Sequence, residues 1–371
     1  MNVILRTIGR GFAALTVLAL GGWAAMALLV AGSDAGALRQ ALAFAVAALT
    51  CAAAAAWALG RVRVPASTAF VAAIAATLLW YHGLRASNDR IWPADVARTP
   101  WAEIDGDRIT LHEVRHFTWR SEADFTPAWE TRSVSVTDLE AVDLIASYWM
   151  GDAIAHVMVS FVFGHAPPVL VSIEARKAVG EPYSTLLGFF RRYELVYIVA
   201  DERDAIGVRT NVRADPPEDV YLYRLTAPKE AGRRLFLEYV RQINLLHEQA
   251  EFYNTATTNC TTMVLINNRV NGPVSLLNWK IMLSGYLPEL VYERGRLDRA
   301  LSFPDLRQRS RVNDAARTAG LDAPDFSARI RDGLPAMPHE PLATLAAPPH
   351  LCRQELCRCP GPPTISTRQR C

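Results

Sequence analysis

Residues 151–177 read GDAIAHVMVSFVFGHAPPVLVSIEARK. Two short apolar runs, AHVMVSFVF and PVLVSIEARK, are rich in Val, Ile and Phe and are separated by a Gly-His-Ala-Pro-Pro break. Both are too short for ordinary helices, and their composition predicts two strands joined by a turn at FGHAPP. His156 stands near the start of the first run. An imidazole there is costly to bury unless it is hydrogen-bonded or used in chemistry, and a satisfied core histidine is the plain alternative.

Outward from this pair the same texture continues. Upstream, RITLHEVRHFTWR, AWETRSVSV and AVDLIASYW, and downstream ELVYIVADERD, AIGVRTNV and VYLYRL, read as further strands bounded by Gly, Pro or Asp. After Pro228 the period changes. KEAGRRLFLEYVRQINLLHEQ places Leu235, Tyr239, Val240, Ile243 and Leu246 on one face of an amphipathic helix. NCTTMVLINNRV and NWKIMLSGYLPELVYERG also read as helical. Strands first and helices afterwards predict an α+β domain with an antiparallel sheet. NDRIWPADVARTPWAEIDGD, punctuated by Pro and Asp, is a linker, so the expected division is a linker over 85–100, a folded domain over 101–334 and a tail over 335–371.

Most of the hydrophobic excess of this 371-residue chain, which is 51% hydrophobic overall, lies in the first 84 residues. Apolar stretches over about 12–31, 38–59 and 66–84 are each long enough to cross a hydrocarbon core of about 30 Å. Three transmembrane helices are predicted, and two further spans directly after the first argue for a retained anchor over a cleaved signal peptide. Arg6 and Arg10 precede the first span and Arg61 and Arg63 follow the second, whereas the intervening loop has only Arg39. The positive-inside rule then puts the N-terminus in the cytoplasm and everything after Leu84 outside, which for a bacterial inner membrane is the periplasm.

A formal charge of +2 with no basic tract interleaved with aromatics argues against nucleic acid as a partner. Cys352, Cys357, Cys359 and Cys371 crowd a Pro-rich tail whose spacing is no strong zinc pattern, and a disordered tail is expected. His112, Glu113 and His116 spell H-E-x-x-H, which on a helix would hold zinc. Their surroundings favour a strand, on which the two imidazoles would lie about 13 Å apart at about 3.3 Å per residue. No metal and no cofactor are expected.

Cys260 lies in FYNTATTNCTTMVLINN, residues 252–268, with Thr257, Thr258 and Asn259 as possible caps of the helix it begins. In a first turn, unpaired N–H groups and the helix dipole favour a thiolate and can receive an oxyanion. A buried, inert thiol is the alternative. Asn259 or Tyr253 could add an oxyanion donor, with simple N-capping the stronger expectation for Asn259.

The segments HVMVSFVF, VLVSIEARK, GEPYS, YELVYIVADERD, VRTNVR, VYLYRL and FYNTATTNCTT, in this order, resemble the Lnb N-terminal periplasmic domain family over roughly residues 86–335. The resemblance implies a permuted papain-like (NlpC-type) domain, in which a strand histidine precedes the helix cysteine. It also implies a lipoprotein N-acyltransferase, moving an acyl chain from a phospholipid to the N-terminal amine of a lipoprotein through a Cys260 thioester with His156 as base. A shuttling imidazole is usually oriented by a third polar group, for which Glu174 is the candidate and His165 a weaker one; a solvated glutamate paired to Arg176 or Lys177 is the alternative. GEPYSTLLGFFRRYE combines an apolar run with paired arginines, so that Tyr183, Ser184, Arg191 and Arg192 are candidates for a lip that binds lipid headgroups. A membrane-tethered cysteine peptidase or amidase acting on peptidoglycan, and a non-catalytic envelope protein, are the competing functions.

Overall fold

The computed structural model describes residues 2–32, 34–61 and 64–335. Arg63, His339, His350 and the tail cysteines Cys352, Cys357, Cys359 and Cys371 lie outside the described residues.

Three apolar helices open the chain: α1 (Asn2–Val30), α2 (Ala37–Ala58) and α3 (Val64–Gly83). Each is long and apolar enough to cross a membrane. They pack through small residues, with Ala24, Ala43 and Val46 buried between them, as suits helices that associate in lipid by close approach. The Arg10 guanidinium lies against Gly60 at one end of the bundle. Arg39 donates to Leu28 O and Ala31 O at the other end.

The remaining elements form an α+β unit. Its strands are β1 (Trp101–Asp105), β2 (Arg108–Arg115), β3 (Thr118–Trp119), β4 (Phe125–Thr126), β5 (Trp129–Ser135), β6 (Leu139–Tyr148), β7 (Ala155–Phe163), β8 (Val169–Arg176), β9 (Glu194–Ala200) and β10 (Asp219–Arg224). The main sheet runs β1-β2-β9-β8-β7-β6-β10, with β5 also on β2, while β3 and β4 pair separately. The sheet is mixed where an antiparallel one was expected. Every ladder is antiparallel except the rung Arg115↔Ala200, where β2 and β9 run side by side in one direction. The helices are α4 (Glu202–Ala205), α5 (Lys229–Glu248), α6 (Cys260–Asn267), α7 (Trp279–Met282), α8 (Leu287–Glu293), α9 (Phe303–Arg309), α10 (Asn313–Ala319) and α11 (Phe326–Arg329).

Alternation along β7 and β8 divides the core into two layers. Val157, Val159, Phe161 and Val171 face α5, where Phe161 packs edge-on against Phe236 and Tyr239. Met158 and Leu170 face the other way, onto Ile206, Val312, Phe326 and Ile330. A buried ion cluster ties this second layer to the sheet: Arg331 donates to both Asp143 and Glu202.

The segment AIGVRTNV is helical where a strand was expected: Val208–Val212 forms a wide helical turn continuing from α4. Asp201 caps that start through the Arg203 N–H, with Glu202 and Asp204 in the first turn. These helix-start residues prevail over the β-branched residues that follow.

His112 and Glu113 do lie on a strand, at a bulge in which the two oppose one residue of β5, with Glu113 at φ 60°. His112 stacks on Trp101 with ring centroids 3.9 Å apart, and His116 pairs with Arg203. The H-E-x-x-H side chains therefore serve separate neighbours, and among the described residues no group of three His, Cys, Asp or Glu could hold a metal ion.

Candidate active site

The β7–β8 ladder ends at Met158↔Ser172. Continued by register, the next rungs would be Val157 opposite Ile173 and His156 opposite Glu174, but the strands part there. Side chains replace the missing backbone bonds. His156 Nε2 lies 2.7 Å from Ser172 Oγ, which donates to Glu174 Oε1 at 2.8 Å; Nε2 itself is 3.3 Å from that carboxylate oxygen. Since the one Ser172 proton goes to Glu174, the hydroxyl accepts from His156, so Nε2 carries a proton and Nδ1 is the nitrogen left to exchange one.

Cys260 occupies the parted end. Asn259 caps α6 by accepting the Thr261 and Thr262 N–H groups, each at 2.9 Å, and Thr262 Oγ1 returns a bond from the Asn259 N–H at 3.0 Å. This reciprocal box fixes the first turn and aims the half-buried sulfur at the strand end. The Val157 backbone lies near enough to the sulfur to favour its charged form.

The charges of the three groups support one another. Burial raises the Cys260 thiol, but the bond and positive charge of His156 outweigh it, and the thiol ionises below its ordinary range. Burial likewise opposes charge on His156, yet the Glu174 carboxylate, and then Cys260, hold the ring protonated up to about 9. Glu174 is kept well below the usual carboxylate range: burial is overcome by His156, Arg209 and Ser172. The arrangement favours a thiolate beside an imidazolium, backed by a carboxylate.

Asn259 Nδ2 donates one of its two N–H groups to Thr255 O at 2.6 Å, which holds the side chain in the place of the cap. Tyr253 is buried near Cys260, Glu174 and Tyr183, which together with burial raise its phenol, so that it remains an O–H donor. Among the described residues no backbone carbonyl accepts from the Cys260 N–H in the first turn. Arg191 and Arg192 do not line an open lip. They clamp the domain to the helices: Arg191 Nη1 donates to Tyr81 O at 2.8 Å, and Arg192 bonds Gly32 O at 3.1 Å as well as Asp34. Ser184 holds a turn, its N–H on Tyr193 Oη at 2.9 Å. Tyr183 is half exposed and stacks on Tyr193. His165 pairs with Asp138, away from the cluster.

Residues 125–285 match the model of the Lnb N-terminal periplasmic domain family. The family suggested by the motifs is the family matched. The match takes in His156, Glu174 and Cys260 and leaves α1–α3 and α8–α11 outside; together with the three long apolar helices it fits a membrane protein with a periplasmic domain. No curated protein and no solved structure matched it.

Beneath the Lnb-type centre lie groups that sequence reasoning missed. Arg209, on the wide turn after α4, is buried with Nη2 3.3 Å from Glu174 and Nε 3.6 Å from Glu218. Glu218 accepts from Ser147, the register partner of His156 on β6, and from Arg213. The signal for Ser172 was its position two residues before Glu174 on the same strand face. For Arg209 it was a single arginine between Val208 and Thr210, a charge that needs partners if buried.

Proposed function

We propose that this chain is a membrane-bound thiol acyltransferase that moves an acyl chain from a phospholipid to the N-terminal amine of a lipoprotein. The observation that carries the reading is the Cys260–His156–Glu174 centre, at the start of a capped helix, in a domain clamped to membrane-spanning helices. The histidine on β7 precedes the cysteine on α6, and we read the domain as a permuted papain-like fold on that order. The acceptor follows from the family resemblance.

In the first half-reaction the Cys260 thiolate attacks the ester carbonyl of the phospholipid. The carbonyl oxygen takes the negative charge and is met by the Cys260 N–H and the Tyr253 O–H. Collapse breaks the C–O bond, the His156 proton passes to the departing alcohol, and a lysophospholipid leaves with Cys260 acylated. In the second half-reaction neutral His156, with Nε2–H held by Ser172 and Glu174, takes a proton at Nδ1 from the incoming neutral amine. The amine attacks the thioester, the C–S bond breaks, and an amide forms as the thiolate–imidazolium pair returns.

The test is to supply the purified chain with phospholipid alone and map acylation by mass spectrometry. A hydroxylamine-sensitive acyl group on Cys260 is expected. It should be absent in Cys260→Ser and reduced by about 10²- to 10⁴-fold in His156→Ala, but unchanged in His112→Ala and His116→Ala. If no thioester forms and purified peptidoglycan is cleaved instead, the acyl-transfer reading fails.

A further inference from the structure

The turn from Tyr183 to Phe190 joins the membrane helices to the cysteine's loop. Phe190 is buried among Ala27, Ala31 and Tyr81. Ala27 belongs to the last turn of a span that runs Ile4–Val30, so Phe190 is seated at the depth where apolar helix surface still faces hydrocarbon. The seat is fixed by backbone as well as side chains: Gly32 N–H donates to Arg191 O at 2.9 Å, and Tyr81 Oη lies 3.4 Å from Phe189 O. Beside this buried ring, Leu186 and Phe189 are 54% and 42% exposed. Two large apolar side chains left open on one turn are unfavourable in water but suited to lipid.

The same turn is tied to the nucleophile. Thr255 N–H donates to Gly188 O at 3.2 Å and Thr255 Oγ1 to Thr185 O at 2.8 Å, while Thr255 O accepts from Asn259, the cap of α6. A methyl group on Gly188 would stand 2.2 Å from Thr255 Oγ1 and 3.2 Å from Tyr253 Cε1. Only glycine lets the two segments approach this closely.

We propose that the Tyr183–Phe190 turn is an interfacial element immersed in the leaflet on the domain's side, with Leu186 and Phe189 among the acyl chains, which places the loop leading to Cys260 at lipid level. The occupant of this apolar surface is the bilayer, because the surface is continuous with the contact between the domain and its own spans. Immersion does not depend on the reaction at Cys260. That Cys260 receives an acyl chain directly from the leaflet rests on the function proposed above.

The experiment uses the full chain with Cys260→Ala, in nanodiscs containing a phospholipid with a diazirine in its acyl chain. After irradiation, adducts are expected on Leu186 and Phe189, within the tryptic peptide of residues 178–191, in addition to α1–α3. The double change Leu186→Gln and Phe189→Gln should abolish them. In a chain retaining Cys260 the same double change should leave iodoacetamide labelling of the cysteine unaltered, which reports an intact domain. Adducts confined to α1–α3, with the 178–191 peptide recovered unmodified, would overturn the proposal, as would undiminished labelling of the double variant. Failure of the acyl-donor reading is distinct: adducts form on the turn, but the unmodified chain acquires no thioester at Cys260.

Discussion

Replacing Glu174 with Gln removes a negative charge 3.3 Å from His156 Nε2 and keeps the shape and an oxygen that can accept from Ser172. A unit-charge pair at that distance is worth about 5 kcal/mol at an effective dielectric of about 20. The net effect on His156 is smaller, because burial works in the other direction: the rise from 6.5 to about 9 corresponds to about 3 kcal/mol. With the carboxylate gone, only Cys260 still opposes burial, and the ring should lose its proton at a lower pH than in the unmodified chain. The thiolate then loses its counter-ion at neutral pH, and the thiol should ionise near or above its ordinary 9.0. The assay is the rate of iodoacetamide alkylation against pH, read on the Cys260 peptide by mass spectrometry so that Cys51 and the tail cysteines do not contribute. The unmodified chain should react well at neutral pH. Glu174→Gln should react at least about tenfold more slowly there, with its midpoint moved to higher pH, since the thiolate is the nucleophile. The sign for acyl transfer follows: the rate of the first half-reaction should fall on the acid side as Cys260 gains a proton and on the alkaline side near 9, where His156 loses the one it must deliver. An alkylation profile identical in Glu174→Gln would refute the reasoning and leave Glu174 a bystander.

Arg209→Met leaves Glu174 and Glu218 facing each other's charge without their shared buried partner. A loss of about 3 kcal/mol is expected, read as a lower thermal midpoint, and an unchanged midpoint would show that the network is not holding the turn. Gly285→Ala would set a methyl 2.0 Å from Asp152 O and 2.9 Å from the Ala153 carbonyl carbon, backbone atoms that cannot swing aside. It should cost about 1–3 kcal/mol and slow Cys260 alkylation, because the displaced turn leads directly into His156. A reporter active only outside the cytoplasm, fused after Arg85, should be active; silence there together with activity of a cytoplasmic reporter would invert the topology.

The spans, the central strands and α5 were legible because each is written in local periodicity: unbroken apolar runs, short β-branched segments between turns, and a 3.6-residue repeat after Pro228. The start of α6 was legible for a similar reason, since Asn259 and Thr262 form a capping box within four residues. Other features depend on partners distant in sequence. AIGVRTNV has strand-forming residues but is drawn into a helical turn by the Asp201 cap and by the burial of Arg209 against Glu174 and Glu218. Arg191 and Arg192 have the composition of a headgroup site, and contacts with Gly32, Asp34 and Tyr81 assign them to docking. By itself the sequence pointed to the candidate site residues and to the segments apolar enough to cross lipid, because side-chain type and short-range spacing govern both. Tertiary structure alone decided that β7 and β8 part after Met158 and Ser172, bringing His156, Ser172 and Glu174 to one sulfur. Sheet register is a property of two strands together, and a thiolate is stabilised only by charges that packing has brought within a few ångströms.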